Sequence, residues 1–110
     1  MADKESIKKE YAVWRSSNHM SNKGFFAVFS EFESYFSKLS PGAISLYLYL
    51  GIHSSNRYGV VFHSIETMAN NLNRSNRTIS NWLQELEDVK LIYREQERFN
   101  SVSITYLRPY

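Results

Sequence analysis

The stretch that most constrains this chain runs from Ser64 to Asp88. It reads as two short helices with almost nothing between them. Ser64 is placed to cap the first, because its hydroxyl can accept from a free backbone N–H of the opening turn. Ile65, Met68, Ala69 and Leu72 follow at spacings of three and four, which gathers them on one face. The apolar pattern stops at Asn73-Arg74-Ser75, and Ser75 can cap a second helix. Ile79, Trp82, Leu83 and Leu86 then form a second one-sided stripe. Helices this short, joined by so tight a turn, cross steeply rather than lie side by side.

The far side of the second helix is polar. Arg77, Ser80, Asn81 and Gln84 share one face, with Arg74, Ser75 and Asn76 at the leading end. No acid occurs from Arg74 to Gln84, and Glu85, Glu87 and Asp88 come only at the trailing end. Negative charge there opposes the helix dipole. It also keeps carboxylates away from whatever the leading end meets, as a phosphate backbone requires.

The remaining segments are read around this pair. Residues 1–23 are polar and charged, with Ile7, Tyr11 and Trp14 at helical spacing. They are expected to form an N-terminal helix, either loosely docked or an arm that packs on a second copy. Residues 24–110 are expected to form one domain, since 110 residues leave room for little more. Phe25, Phe29, Phe32 and Phe36 fit an approximate helical row expected to enter the core, although an extended start before a helix from Ser30 also fits. Ser40-Pro41 is a strong helix start, a capping serine before proline at the first helical position. The helix to about Ser54 is apolar nearly all round and is expected to be the central core helix, with Ile44 and Leu48 meeting the stripe of Trp82. Asn56 to Gly59 reads as a turn, and Val60 to His63 as a short edge strand. Leu91–Gln96 and Val102–Leu107 read as a β-hairpin, with Val102, Ile104 and Tyr106 on one face.

Several classes are set aside by what the sequence lacks. With no cysteine there is neither a disulfide framework nor a thiolate site, which fits a reducing cytoplasm. No apolar run would span a bilayer, and the first residues do not form a signal peptide. His19, His53 and His63 lie far apart in different elements. No His/Cys/Asp cluster has ligand spacing, and the glycines form no phosphate-binding loop. An enzyme is therefore not expected, nor a metal or other cofactor. A net charge of +2 does not by itself name a partner.

The order helix, helix, short strand, helix, turn, helix, hairpin resembles the winged helix-turn-helix, a mostly α fold with a small β-hairpin (α+β). The match is carried by Phe62 to Ala69, by Asn73-Arg74-Ser75-Asn76-Arg77-Thr78-Ile79, and by Leu83 to Glu87 with Leu91-Ile92. With Leu39-Ser40-Pro41-Gly42-Ala43 and Leu46-Tyr47, the chain is similar to the N-terminal domains of Gram-positive plasmid replication initiators and of DnaD-type primosomal proteins, over about residues 25–107. The pattern usually has glycine where Lys90 stands, so the helix end is expected to differ or to carry slight strain. Those initiators continue into a further domain, whereas this sequence stops at Tyr110.

The resemblance implies sequence-specific binding of double-stranded DNA through a recognition helix (75–88) and a wing (96–101). Arg77 and Asn81 are expected at base edges, since arginine pairs with guanine and asparagine with adenine. Ser80 and Gln84 would support them, and Asn76 at the leading end is also expected at the DNA. Ser64, Thr67, Arg74, Ser75 and Thr78 would contact phosphates, with Arg98 and Asn100 at the wing tip. A homodimer is expected through Ile7, Tyr11 and Trp14, joined by Phe25 and Phe29. The expected role is a small bacterial or plasmid-encoded regulator of transcription, replication or copy number, in the cytoplasm on nucleoid or plasmid, with a replication or segregation protein as a further partner. The alternatives are a centromere-binding protein of a plasmid segregation system and a winged-helix protein-interaction module.

Overall fold

A computed structural model describes residues 3–21, 24–54, 58–96 and 103–110. The elements in order are α1 (Lys4–Met20), a 3-10 helix (Ser30–Tyr35), α2 (Pro41–His53), β1 (Val60–Val61), α3 (Ile65–Leu72), α4 (Asn76–Asp88), β2 (Ile92–Gln96) and β3 (Ser103–Leu107). The strands form one antiparallel sheet in the order β1-β3-β2. β1 is therefore an edge strand, and the whole is the mostly helical, small-sheet arrangement of a winged helix-turn-helix.

α2 starts where serine and proline dictate: Ser40 Oγ accepts from the Ala43 N–H at 3.2 Å, and Pro41 takes the first turn. Its buried face is Ala43, Leu46, Tyr47, Tyr49, Leu50 and Gly51. Ile44 is half-buried and Leu48 is 41% exposed, so the expected contact through Leu48 is corrected. Leu48 lies outside the arc that faces α4 and the sheet. Ile79, Leu83 and Leu86 of α4 are buried, and Trp82 is half-buried with its ring on Gly42. A Cβ at Gly42 would stand 2.1 Å from the Trp82 ring, so the absence of a side chain is what admits the indole.

For the phenylalanine segment the second expectation holds, an extended start before a helix from Ser30. Residues 24–29 are not helical, and the turn that follows is 3-10 rather than α. Helical spacing is thereby lost: Phe32 is buried, while Phe25, Phe29 and Phe36 are exposed. Phe32 stacks on Tyr47 at 4.7 Å between ring centroids, and Tyr110 closes edge-on over Phe32 and Tyr35.

In the sheet, the covered face of β3 is that of Ser103 and Thr105, at 8% and 0% exposure, rather than that of Ile104 and Tyr106. β3 is the central strand, so the face pointing at the helices is fixed by its pairing. Thr105 sits opposite Val61 on one side and Arg94 on the other. Its hydroxyl accepts from Arg94 Nε at 3.2 Å, which satisfies the buried polar group. Burial lowers the Arg94 pKa, and the Glu87 carboxylate offsets part of that effect. Arg98 and Asn100, the wing-tip candidates, lie outside the described residues, as does Val102.

The end of α4 takes the left-handed conformation that the family pattern assigns to glycine. Lys90 has φ +61°, its N–H donates to Glu87 O at 2.9 Å, and the Leu91 N–H donates to Leu86 O at 3.0 Å. This is a Schellman closure sealed by buried Leu86 and Leu91, and a lysine held there costs about 1 kcal/mol relative to glycine.

The Gly42–Trp82 contact predicts a sign reversal. Gly42→Ala should lower stability by roughly 1–3 kcal/mol through overpacking. In a Trp82→Ala background the same change should become neutral or stabilising, since alanine is the better helix former. Thermal melts of the four proteins in the cycle measure this, and additive effects would contradict the contact.

Candidate nucleic-acid interface

The interface is built from two capped helices and the turn between them. Ser64 Oγ accepts from the Thr67 N–H at 3.1 Å, and Ser75 Oγ accepts from the Thr78 N–H at 3.1 Å. In each case the serine and threonine hydroxyls also bond, at 2.9 Å. The same Ser-x-x-Thr unit therefore opens both helices. Between them, Asn73 adopts φ 53°, ψ 52°, a left-handed position that asparagine tolerates. The Arg74 N–H donates back to Ala69 O at 3.0 Å, which ends α3 and sends the chain into α4. Arg74 Nη1 donates to Asn73 O at 2.9 Å, so the guanidinium lies along the turn.

On α4, Ser75, Asn76, Arg77, Ser80, Asn81 and Gln84 are exposed, and Thr78 is half-buried. Arg74 and Thr67 are exposed beside them, and Ser64 is half-buried. Gln84 Nε2 donates to Asp88 Oδ1 at 2.8 Å, which turns that amide toward the trailing end of the helix. The sequence-derived set on the two helices is thus exposed or half-buried throughout.

One residue fixes how that surface is turned. Glu85 receives the Ser40 N–H on Oε1 at 2.8 Å and the Ser40 hydroxyl on Oε2 at 2.6 Å. The carboxylate that looks misplaced for its own helix dipole thereby sits at the N-terminus of α2, where negative charge is stabilising. Helical periodicity alone carries no sign of this contact, because it spans two elements. The only local hints are the free carboxylate beside the apolar stripe and the capping serine of α2.

A second anchor ties the last turn of α3 and the residue before its cap to α2. Asn71 Nδ2 donates to Tyr49 Oη at 2.8 Å, and Tyr49 Oη lies 2.6 Å from His63 Nδ1. With the amide donating, the phenol hydrogen is free to donate to Nδ1, an arrangement that suits a neutral His63. His53 and His63, from different elements, have ring centroids 4.8 Å apart, because β1 returns the chain to the end of α2. Among the described residues no group of three His, Cys, Asp or Glu could hold a metal.

The dimer candidates lie on α1 and on the segment before the 3-10 helix. No residue of α1 is buried, and Ile7, Tyr11 and Trp14 are exposed. Phe25 meets His19 edge-on at 5.0 Å. Phe29 donates its N–H to Tyr110 Oη at 2.8 Å, with its ring 6.4 Å from that of Tyr110. Among the described residues no helix is long and apolar enough to cross a membrane.

Residues 37–92 match the family model described as a helix-turn-helix domain, a span that runs from the approach to α2 through α4 and into β2. No curated protein and no solved structure matches the chain.

The histidine anchor makes stability depend on pH. Burial, then the nearby His53 charge, lowers the His63 pKa from 6.5. The unfolded chain therefore binds the proton more readily than the folded one in the window just below 6.5. Stability should rise with pH across that window and fall on acidification. His63→Phe should flatten the slope of Tm between about pH 5 and 7.5, the range in which histidine titrates. An unchanged slope would place the acid sensitivity elsewhere.

Proposed function

The chain belongs to the helix-turn-helix domain family, and from that premise we propose that it binds double-stranded DNA sequence-specifically. The fold is one generally used for DNA binding, and the family is non-catalytic. The observation that carries the finer reading is the exposed face of α4. It gathers Arg77, Ser80, Asn81 and Gln84 and has no acid before Glu85. A helix of this kind enters the major groove with its leading residues at base edges.

In this reading Arg77 pairs with guanine and Asn81 with adenine. Ser64, Thr67, Arg74, Ser75 and Thr78 hold phosphates, aided by the leading ends of α3 and α4. Arg98 and Asn100 of the wing reach the flanking backbone or groove. The chain acts as a homodimer, because one module makes few phosphate contacts and a symmetric pair doubles them. Its target then carries two half-sites about 34–36 Å apart, or an array of repeats. The likeness of Phe62–Ala69 and Asn73–Ile79 to plasmid replication initiators favours a small bacterial or plasmid regulator of transcription, replication or copy number. Such a protein works in the cytoplasm on nucleoid or plasmid DNA, alongside a replication or segregation protein.

The test is a titration of wild type and Arg77→Ala on specific and scrambled DNA at several salt concentrations. Losing Arg77 should cost about 1–3 kcal/mol on the preferred site and relax sequence choice there. Binding to scrambled DNA should change little, and the wild-type affinity should fall steeply with salt. Equal behaviour of both proteins on both DNAs would overturn the assignment of α4. Absence of any salt-dependent DNA binding would favour a protein-interaction module instead.

A further inference from the structure

α1 is a well-started helix that buries none of its residues among the described residues. Asp3 caps it, with Oδ1 accepting from the Glu5 N–H at 3.2 Å, and it runs for 17 residues. None of those residues is buried, and Ile7, Tyr11 and Trp14 are 49%, 60% and 59% exposed. An isolated helix of this length is marginal in water, and most helical stability comes from burying one face. The face is present: Tyr11 and Trp14 pack their rings at 5.5 Å, in line with Ile7.

The spacing along that face is heptad spacing. Lys4, Ile7, Tyr11, Trp14 and Asn18 alternate steps of three and four, which places them at a, d, a, d and a. The flanking positions then carry charge in a strict order. Asp3 and Glu10 fall at g, and Lys8 and Arg15 fall at e.

We propose that α1 pairs with α1 of a second copy as a short parallel coiled coil. In a parallel pair each g position faces the next e position of the partner, so Asp3 meets Lys8 and Glu10 meets Arg15, on both sides of the seam. In an antiparallel pair e faces e and g faces g, which sets Lys8 and Arg15 against one another and Asp3 against Glu10. The charge pattern therefore complements itself in one orientation and repels in the other. Asn18 at an a position adds to this, since a lone asparagine there fixes register and strand number. The Lys8–Glu5 pair within the helix, at 3.4 Å and largely exposed, is weak enough to give way. The inference rests on the homodimer reading above and goes further by naming the surface, the orientation and the register.

Charge swaps on the full chain test it, read by sedimentation equilibrium. Glu10→Arg alone and Arg15→Glu alone should each weaken the dimer about tenfold, since each turns attractive pairs into repulsive ones. An equal mixture of the two should form a heterodimer at about wild-type strength, which a simple loss of helix would not restore. The sequence has no cysteine, so Asn18→Cys supplies one thiol per chain. It should form a disulfide-linked dimer under mild oxidation, because a parallel register sets residue 18 against itself. Single swaps that tighten the dimer, or no cross-link at residue 18, would overturn the parallel pairing. A dimer indifferent to both swaps would remove α1 from the interface and leave the homodimer reading standing. A monomer at high micromolar concentration would overturn both.

Discussion

The carboxylate of Glu85 on Ser40 is the contact on which the presentation of α4 depends. Two hydrogen bonds, at 2.8 and 2.6 Å, tie the trailing part of one helix to the capping residue of another. A charged acceptor on a helix N-terminus is worth more than a neutral bond, and holding both oxygens fixes the rotation of α4 about its axis. Once that rotation is set, Ile79, Leu83 and Leu86 point into the core. Trp82 lies on Gly42, and Arg77, Ser80, Asn81 and Gln84 point outward. A rotation of one residue, about 100°, would carry the polar face toward the core.

Much of this was legible in the sequence because it is local. Serine at 40, 64 and 75 announces three helix starts, and each hydroxyl accepts the N–H three residues on. The stripe of Ile79, Leu83 and Leu86 gives the buried side of α4 directly, and its complement gives the candidate interface. The Asn73 turn could be read from the break in the apolar pattern. Lys90 could be read as a helix end, although its left-handed φ is held by the Leu86–Leu91 seal rather than by any preference of lysine.

What could not be read depends on partners distant in the chain. Glu85 looks wrongly placed until α2 is packed against α4. The alternation puts Ile104 and Tyr106 on one face without saying which face is covered; with β3 paired to Val61 and Arg94, it is Thr105 that lies inward. His53 and His63 come together only because β1 returns to the end of α2. The Phe25 to Phe36 row fits either a continuous helix or an extended start before Ser30, and the sequence alone does not choose between them; the segment takes the second, with a 3-10 turn. The amphipathic face of α1 is visible in the sequence, yet among the described residues it stays exposed.

Two surfaces with different chemistry therefore leave the core. One is polar, free of acid at its leading end and held rigid by Glu85. The other is aromatic with charged flanks on a separate helix. The most direct measurement of the central claim, that the outer face of α4 is the DNA-reading face, is amide chemical-shift mapping of the labelled chain with duplex DNA. Shifts should concentrate on residues 64–67 and 74–84 and be reversed by salt, while Phe32 and Tyr47 stay unmoved. Shifts confined to α1 and residues 24–29, with 74–84 silent, would contradict it.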